Sequence, residues 1–284
     1  MSTSRSEMLG VARFEREAIG RTIQYTPPDR WDDDSACAGW RNRDVVAHLA
    51  ASDTAAAAVL GDEVPAEVEE YLKSREEEIG VPWFSSPDGL DGFNEFAVGR
   101  RRDQPFRQVA TEWGQAADLF LVRASAISRE DWEGKRVPWV VGELPIRFLV
   151  QSRVSEWWIH GEDIRAGAGL PARLEHDPIH AVNDLAIRTI PYALGVAGIS
   201  YPGRSVRIDL EGAGGGTWHY GLAPRERPGP GKRPDAWIEG RAYPFALVAA
   251  RRVPAERYVA DGTFAIGGDE DIALDVLEHV RAIA

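Results

Sequence analysis

Glu156 and His160 restrict the fold of this chain more than any other residues. They stand four apart in the run Arg153-Val-Ser-Glu-Trp-Trp-Ile-His-Gly-Glu-Asp-Ile-Arg165. On a helix that spacing stacks two side chains one turn apart on one face. Val154, Trp157, Trp158 and Ile159 fill the helix around Glu156, so the carboxylate is bound for apolar surroundings. Burying it there is costly unless it is paired with a cation or bound to a metal. One solution is a salt bridge to Arg153 or Arg165. The other is a metal shared with a second helix, and Trp40-Arg-Asn-Arg-Asp-Val-Val-Ala-His48-Leu-Ala supplies a histidine for it. A His48/Glu156/His160 set from two helices suits a divalent ion with an open coordination position, the construction of catalytic zinc sites. Asp163 and Arg165 then become groups that orient the ligands. Taken alone, His48 also reads as a core histidine that needs only a hydrogen-bond partner. A rival pair, His176 and His180, is likewise four apart, but it flanks Asp177-Pro178 at an exposed helix start. No HExxH and no CxxC occurs.

Composition narrows the function classes. A net charge of -12 argues against non-specific binding to nucleic acid or to an anionic membrane. The run Arg100-Arg101-Arg102 reads as a solvated helix end. No stretch approaches the ~20 apolar residues of a membrane span, and the N-terminus lacks the apolar segment of a signal peptide, so a cytoplasmic protein is expected. The single cysteine, Cys37, cannot form an internal disulfide and reads as a small buried hydrophobe outside both motifs. Lys73, Lys135 and Lys232 are the only lysines among 33 basic residues, a bias typical of high-GC genomes such as those of actinobacteria.

The pattern along the chain predicts two parts. Helical spacing covers residues 5–24, 43–60 (with Asn42 a possible cap), 91–128 with an interruption near Pro105, and 146–166. A short helix is expected at 66–78 and an irregular connection from Trp132 to Pro145. Gly167, Gly169 and Pro171 form a helix stop. Four long amphipathic helices predict a bundle over 1–170. After a boundary near Leu170–Asp177, a helix is expected over 177–198. Ser205-Val-Arg-Ile-Asp-Leu-Glu211 then alternates strictly and reads as a strand with Val206, Ile208 and Leu210 inward. Residues 212–216 are its hairpin turn, 217–222 the return strand and 236–240 a further strand. Residues 243–252 read as a helix, 258–260 and 263–266 as extended, and 272–283 as a closing helix. The fold class expected is therefore α and α+β, a four-helix bundle over 1–170 followed by a smaller α+β domain over 177–284.

The stretches Trp40…Asp44-Val-Val-Ala-His48-Leu and Glu156-Trp-Trp-Ile-His160-Gly-Glu-Asp163-Ile-Arg165 resemble the two signatures of the mycothiol-dependent maleylpyruvate isomerase-like family, within the DinB/YfiT-like metalloenzyme superfamily. The resemblance runs over most of the chain, with Glu162 where many members have Trp. It implies a DinB-like bundle carrying the metal and a C-terminal domain similar to sterol carrier protein 2. It implies His48, Glu156 and His160 as ligands of zinc or another divalent metal, with mycothiol as cosubstrate. It also implies an arginine of the C-terminal domain facing the metal, here Arg251 or Arg252, although Ala250 stands before them where glycine is common.

Such a site would turn a low-molecular-weight thiol into a nucleophile, because a metal-bound thiol is deprotonated and the thiolate is the attacking species. Addition to a small electrophilic substrate ends in cis–trans isomerisation if the adduct rotates and expels the thiol, and in S-transfer if it does not. The arginine would hold a substrate carboxylate bidentately in a cleft between the two domains. A zinc-hydroxide hydrolase and a non-catalytic ligand-binding or regulatory protein that keeps the bundle are the alternatives.

Overall fold

Four helices of 19 to 22 residues, α1 (Arg5–Tyr25), α2 (Asn42–Leu60), α5 (Phe106–Ala126) and α7 (Ile146–Gly167), dominate the N-terminal part of the chain. The computed structural model describes residues 4–84, 86–140, 142–229 and 231–282, and the chain divides into two units after Ala172. The fold is α and α+β. No helix among the described residues is long and apolar enough to cross a membrane.

In the first unit α2 lies along α5, and α1 along α7. The alanines of α2 make this close packing possible: Ala47, Ala50, Ala51, Ala55, Ala56 and Ala57 are all buried. The helix begins at Asn42, but its cap is the preceding residue. Asp44 accepts from the Arg41 backbone N–H at 3.1 Å and from Arg41 Nε at 2.9 Å. Asn42 instead ties the cap to the chain before it, donating from Nδ2 to the Arg30 carbonyl at 2.9 Å. Shorter helices α3 (Ala66–Ser74), α4 (Pro87–Gly99) and α6 (Arg129–Gly134) fill the connections. Most of the segment from Trp132 to Pro145, expected to be irregular, has regular structure. The end of α6 leads into a hairpin of β1 (Arg136–Trp139) and β2 (Gly142–Pro145), with Val137 opposite Leu144. Strands of four residues carrying Pro138 and Pro145 are too short for an alternation to be read. At its far end α7 ends at Gly167, and Gly169, just past the Ala168 cap, has the φ of +70° that terminates a helix in the left-handed conformation.

The second unit opens with α8 (His176–Arg188) and α9 (Ile190–Val196). The single helix expected over 177–198 is broken at Thr189 because Pro191 has no N–H to continue the ladder. A mixed sheet follows, built from β3 (Ser205–Glu211), β4 (Gly216–Gly221), β5 (Ala236–Arg241) and β6 (Phe264–Gly268) in the order β4-β3-β5-β6. β3 pairs antiparallel with β4 and parallel with β5, and β5 pairs antiparallel with β6. Val206, Ile208, Leu210 and Ile238 are buried, as the alternation requires. α10 (Ala242–Ala249), α11 (Ala255–Ala260) and α12 (Glu270–His279) complete the unit. Tyr258-Val-Ala, expected to be extended, belongs to α11; that helix buries only Ala255 and so leaves no periodic signal. The closing helix ends at His279, and its expected last residue, Ile283, lies outside the described residues.

One glycine controls how the loop before α2 meets α7. A Cβ on Gly167 would stand 2.5 Å from the Asp34 carbonyl oxygen and 2.9 Å from Ser35 Cα. Gly167→Ala is therefore expected to cost about 1–3 kcal/mol, read as a lower urea midpoint. Gly161→Ala, whose nearest new contact is Ile19 Cγ1 at 3.9 Å, is the control, expected to be neutral or stabilising by up to about 1 kcal/mol. Equal midpoints for the two variants would refute the close approach.

Candidate functional site

α2 and α7 bring the two motifs together. His48 lies on α2 between Ala47 and Leu49, both buried, and is itself 9% exposed; His160 is 3% exposed. His48 Nε2 is 3.2 Å from Glu156 Oε2, and His160 Nε2 is 3.5 Å from the same oxygen. The rings of the two histidines are 5.0 Å apart, edge to face. One donor atom from each of His48, Glu156 and His160 lies within 4.8 Å of the others. Two donors on one tetrahedral ion at about 2.0–2.1 Å stand about 3.3 Å apart, so two of the separations match a shared ion as they are. The donor chemistry fits a divalent metal with a position to spare.

The surrounding groups orient these three. His160 Nδ1 is 2.9 Å from Asp163 Oδ2, a carboxylate–imidazole contact that fixes the tautomer and leaves Nε2 directed at Glu156. Arg153 Nη1 approaches Glu156 Oε2 at 3.8 Å. Of the two arginines the sequence offered to Glu156, this is the one that reaches it. Arg165 bonds elsewhere, from Nε to the Pro171 carbonyl at 2.7 Å and from Nη1 to Thr22 Oγ1 at 3.3 Å. The salt-bridge and metal readings of Glu156 thus coexist.

Charge in the pocket is divided unevenly. Burial pushes the Glu156 carboxyl up, but hydrogen bonds with His160 and His48 and the nearby Arg153 charge outweigh it and hold the group well below its usual range. Burial dominates at His48 and lowers it, in spite of Glu156. Burial also disfavours the charged form of His160, yet Asp163 and Glu156 together raise it. Of the two histidines, His160 is therefore the one whose protonated form the pocket favours.

The loop before α2 adds residues that the motifs did not announce. Trp31 stacks on Phe106 with centroids 3.8 Å apart, the backbones of Asp34 and Arg41 pair in an isolated antiparallel β-bridge, and the Ala36 N–H donates to the Asp163 carbonyl at 3.2 Å. Held this way, the loop lays the Trp40 ring 5.0 Å from that of His48 and 6.4 Å from that of His160. Trp40 Nε1 donates to Glu95 on α4 at 2.8 Å. Cys37 comes close as well, contrary to its place outside both motifs: its sulfur, a His160 nitrogen and an Asp163 oxygen lie within 4.8 Å of one another. Only the loop's tertiary anchoring makes this visible. We favour the His48/Glu156/His160 set for a metal, because Asp163 already occupies His160 Nδ1.

The remaining sequence candidates fall in the second unit. The rings of His176 and His180 stack 5.6 Å apart, and no third ligand joins them among the described residues. Arg251 and Arg252 sit in the turn after α10. Arg252 donates from Nη1 to the Ala250 carbonyl at 2.7 Å, while Arg251 is exposed with φ +61°, a left-handed conformation uncommon outside glycine.

A raised histidine and a lowered carboxyl have opposite signs in stability. The His160 contribution is complete below the ordinary histidine value of 6.5 and is lost as pH rises through its raised value. The Glu156 contribution is complete above 4.5 and is lost as pH falls through its lowered value. Asp163→Asn removes the leading support of the His160 proton. In metal-free protein His160 is then expected to titrate at lower pH than in the wild type, followed by NMR of the imidazole carbons. An unmoved titration would show that Asp163 does not hold that proton.

Comparison with known proteins agrees with this architecture. The chain matches the family described as the mycothiol maleylpyruvate isomerase N-terminal domain over residues 12–165. Two uncharacterized proteins, from two strains of Mycobacterium tuberculosis, are each 23% identical to it over 211 residues, covering 74% of this chain and 74% of theirs. A crystal structure of the mycothiol-dependent maleylpyruvate isomerase superposes with a TM-score of 0.58 at 18% identity, covering 89% of this chain and 93% of that one. A mutant of that enzyme superposes with a TM-score of 0.59 at 17% identity over the same shares, and at such identities the likeness speaks for the fold. Because the matched segment spans more than half of the sequence and contains both motifs, the chain belongs to the mycothiol maleylpyruvate isomerase N-terminal domain family.

Proposed function

We propose that this chain is a metalloenzyme that activates mycothiol for addition to a small electrophilic substrate, ending in cis–trans isomerisation or in S-transfer. The observation that carries the reading is the convergence of His48 Nε2 and His160 Nε2 on one oxygen of Glu156. His48, Glu156 and His160 would hold the ion. A divalent metal there supplies Lewis acidity that makes a bound thiol a thiolate at neutral pH. The rest is work for the protein's own side chains. Asp163 keeps His160 in the tautomer that offers Nε2. Burial keeps His48 neutral and so ready to donate. The ring of Trp40 forms an apolar wall beside both histidines, suited to the carbon skeleton of an unsaturated substrate. By the family resemblance, Arg251 or Arg252 would bind a substrate carboxylate.

Purified protein is expected to carry about one equivalent of divalent metal by elemental analysis, with His160→Ala losing it. Calorimetry of mycothiol binding in buffers of different ionisation enthalpy is expected to detect one proton released per thiol. Turnover of an electrophile without any thiol, or thiol binding with no proton released, would replace this reading with the hydrolytic or non-catalytic one.

A further inference from the structure

A second buried charge pair stands behind the candidate metal site, and its acid, Asp53, has no part in the chemistry described so far. Asp53 on α2 is fully buried and Arg153 on α7 is 2% exposed. Asp53 Oδ1 accepts from Arg153 Nε at 2.8 Å. Its Oδ2 accepts from two indoles, Trp157 Nε1 at 2.7 Å and Trp113 Nε1 at 3.0 Å. Burial raises the Asp53 carboxyl, and three N–H donors on its two oxygens favour the ionised form against that burial. Arg153 Nη2 donates to Ser52 Oγ at 3.0 Å. With Nε and Nη2 so engaged, Nη1 is the end of the guanidinium turned to Glu156 Oε2, 3.8 Å away and three residues on along the same face.

A buried ion pair is a poor way to join two helices. Well-packed apolar side chains of the same volume are often as stabilising or more so, because both charges must be desolvated. What this pair supplies that a hydrophobic contact cannot is a fixed cation at the back of a carboxylate. The guanidinium is a rigid fork, so anchoring two of its edges fixes the third.

We propose that Arg153, locked in place by Asp53, Trp113 and Trp157, is the positioning residue of the site: it aims the Glu156 carboxylate at His48 and His160 before metal arrives and draws off part of its charge afterwards. This rests on the metal reading of the site given above. Groups that orient metal ligands in this way commonly account for 10–100-fold in metal affinity.

The test compares wild type with Asp53→Asn, Arg153→Lys, Arg153→Gln, Trp113→Phe and Ser52→Ala. Three readouts are taken: zinc affinity by chelator competition, the visible absorption of the cobalt-substituted protein, and the melting temperature of the metal-free form. Asp53→Asn and Arg153→Gln are expected to weaken zinc binding 10–100-fold and to alter the cobalt spectrum. Arg153→Lys, which keeps the charge and loses the fork, is expected to lie between Arg153→Gln and wild type. Trp113→Phe and Ser52→Ala each remove one anchoring contact, keep the packing, and are expected to shift affinity in the same direction by less. They carry the test if the charged-residue variants do not fold. Lower melting temperatures with wild-type zinc affinity and an unchanged cobalt spectrum would overturn the proposal and leave the pair a structural one. If wild-type protein binds neither zinc nor cobalt, the metal reading itself falls and this inference with it.

Discussion

The Glu156 carboxylate is the point on which the first unit is organised. It is an acid in the apolar middle of α7, between Val154 and a pair of tryptophans that are themselves fully buried. Left alone, such a charge would be expensive enough to disfavour the helix packing that surrounds it. The bundle meets it with three cationic or hydrogen-bonding partners from two helices: His48 from α2, and His160 and Arg153 from one turn either side of it on α7. Each partner is held by something further out, His160 by Asp163 and Arg153 by Asp53. The bundle thus contains a network of alternating charges, and His48, Glu156 and His160 within it are also a metal-binding donor set.

That arrangement explains features that look unrelated in the sequence. Asp53, buried with no exposure at all, would be anomalous in an alanine-rich helix without Arg153 opposite it. Trp113 and Trp157 contribute apolar bulk, and their indole N–H groups also satisfy the second oxygen of Asp53. The loop from Trp31 to Arg41 does more than connect α1 to α2. Its bonds to the end of α7 and its stack on Phe106 place Trp40 over the histidines and Cys37 beside His160. Gly167 is the position where α7 has to be bare for that loop to pass.

The second unit rests on different forces. Its mixed sheet packs on α8 through β4, on α10 through β3 and β5, and on α12 through β5 and β6, with Val206, Ile208 and Ile238 buried, and its polar residues serve local geometry. Asp235, for example, accepts from the Ser205 backbone N–H at 2.8 Å and from Arg204 at 2.9 Å, and so pins the start of β3 beside β5.

Much of this was legible in the chain itself wherever periodicity ran long enough. The four bundle helices, the β3–β4 hairpin and the stop at Gly169 follow from spacings that local physics enforces within a helix or a strand. So does the pairing of Glu156 with His160, because four residues on a helix are neighbours whatever else the protein does. His48 could be nominated as their partner, since a buried acid with one histidine invites a second ligand. The short pieces were not legible. The β1–β2 hairpin and α11 span four to six residues, too few for a period to show. Contacts between distant segments were hidden for a different reason. That Asp53 pairs with Arg153, that Arg165 turns away to Thr22 and Pro171, and that Cys37 lies beside His160 depend on how α2, α7 and the intervening loop are rotated and clamped together. Sequence spacing determines which side chains share a face; only tertiary packing decides what that face is turned toward.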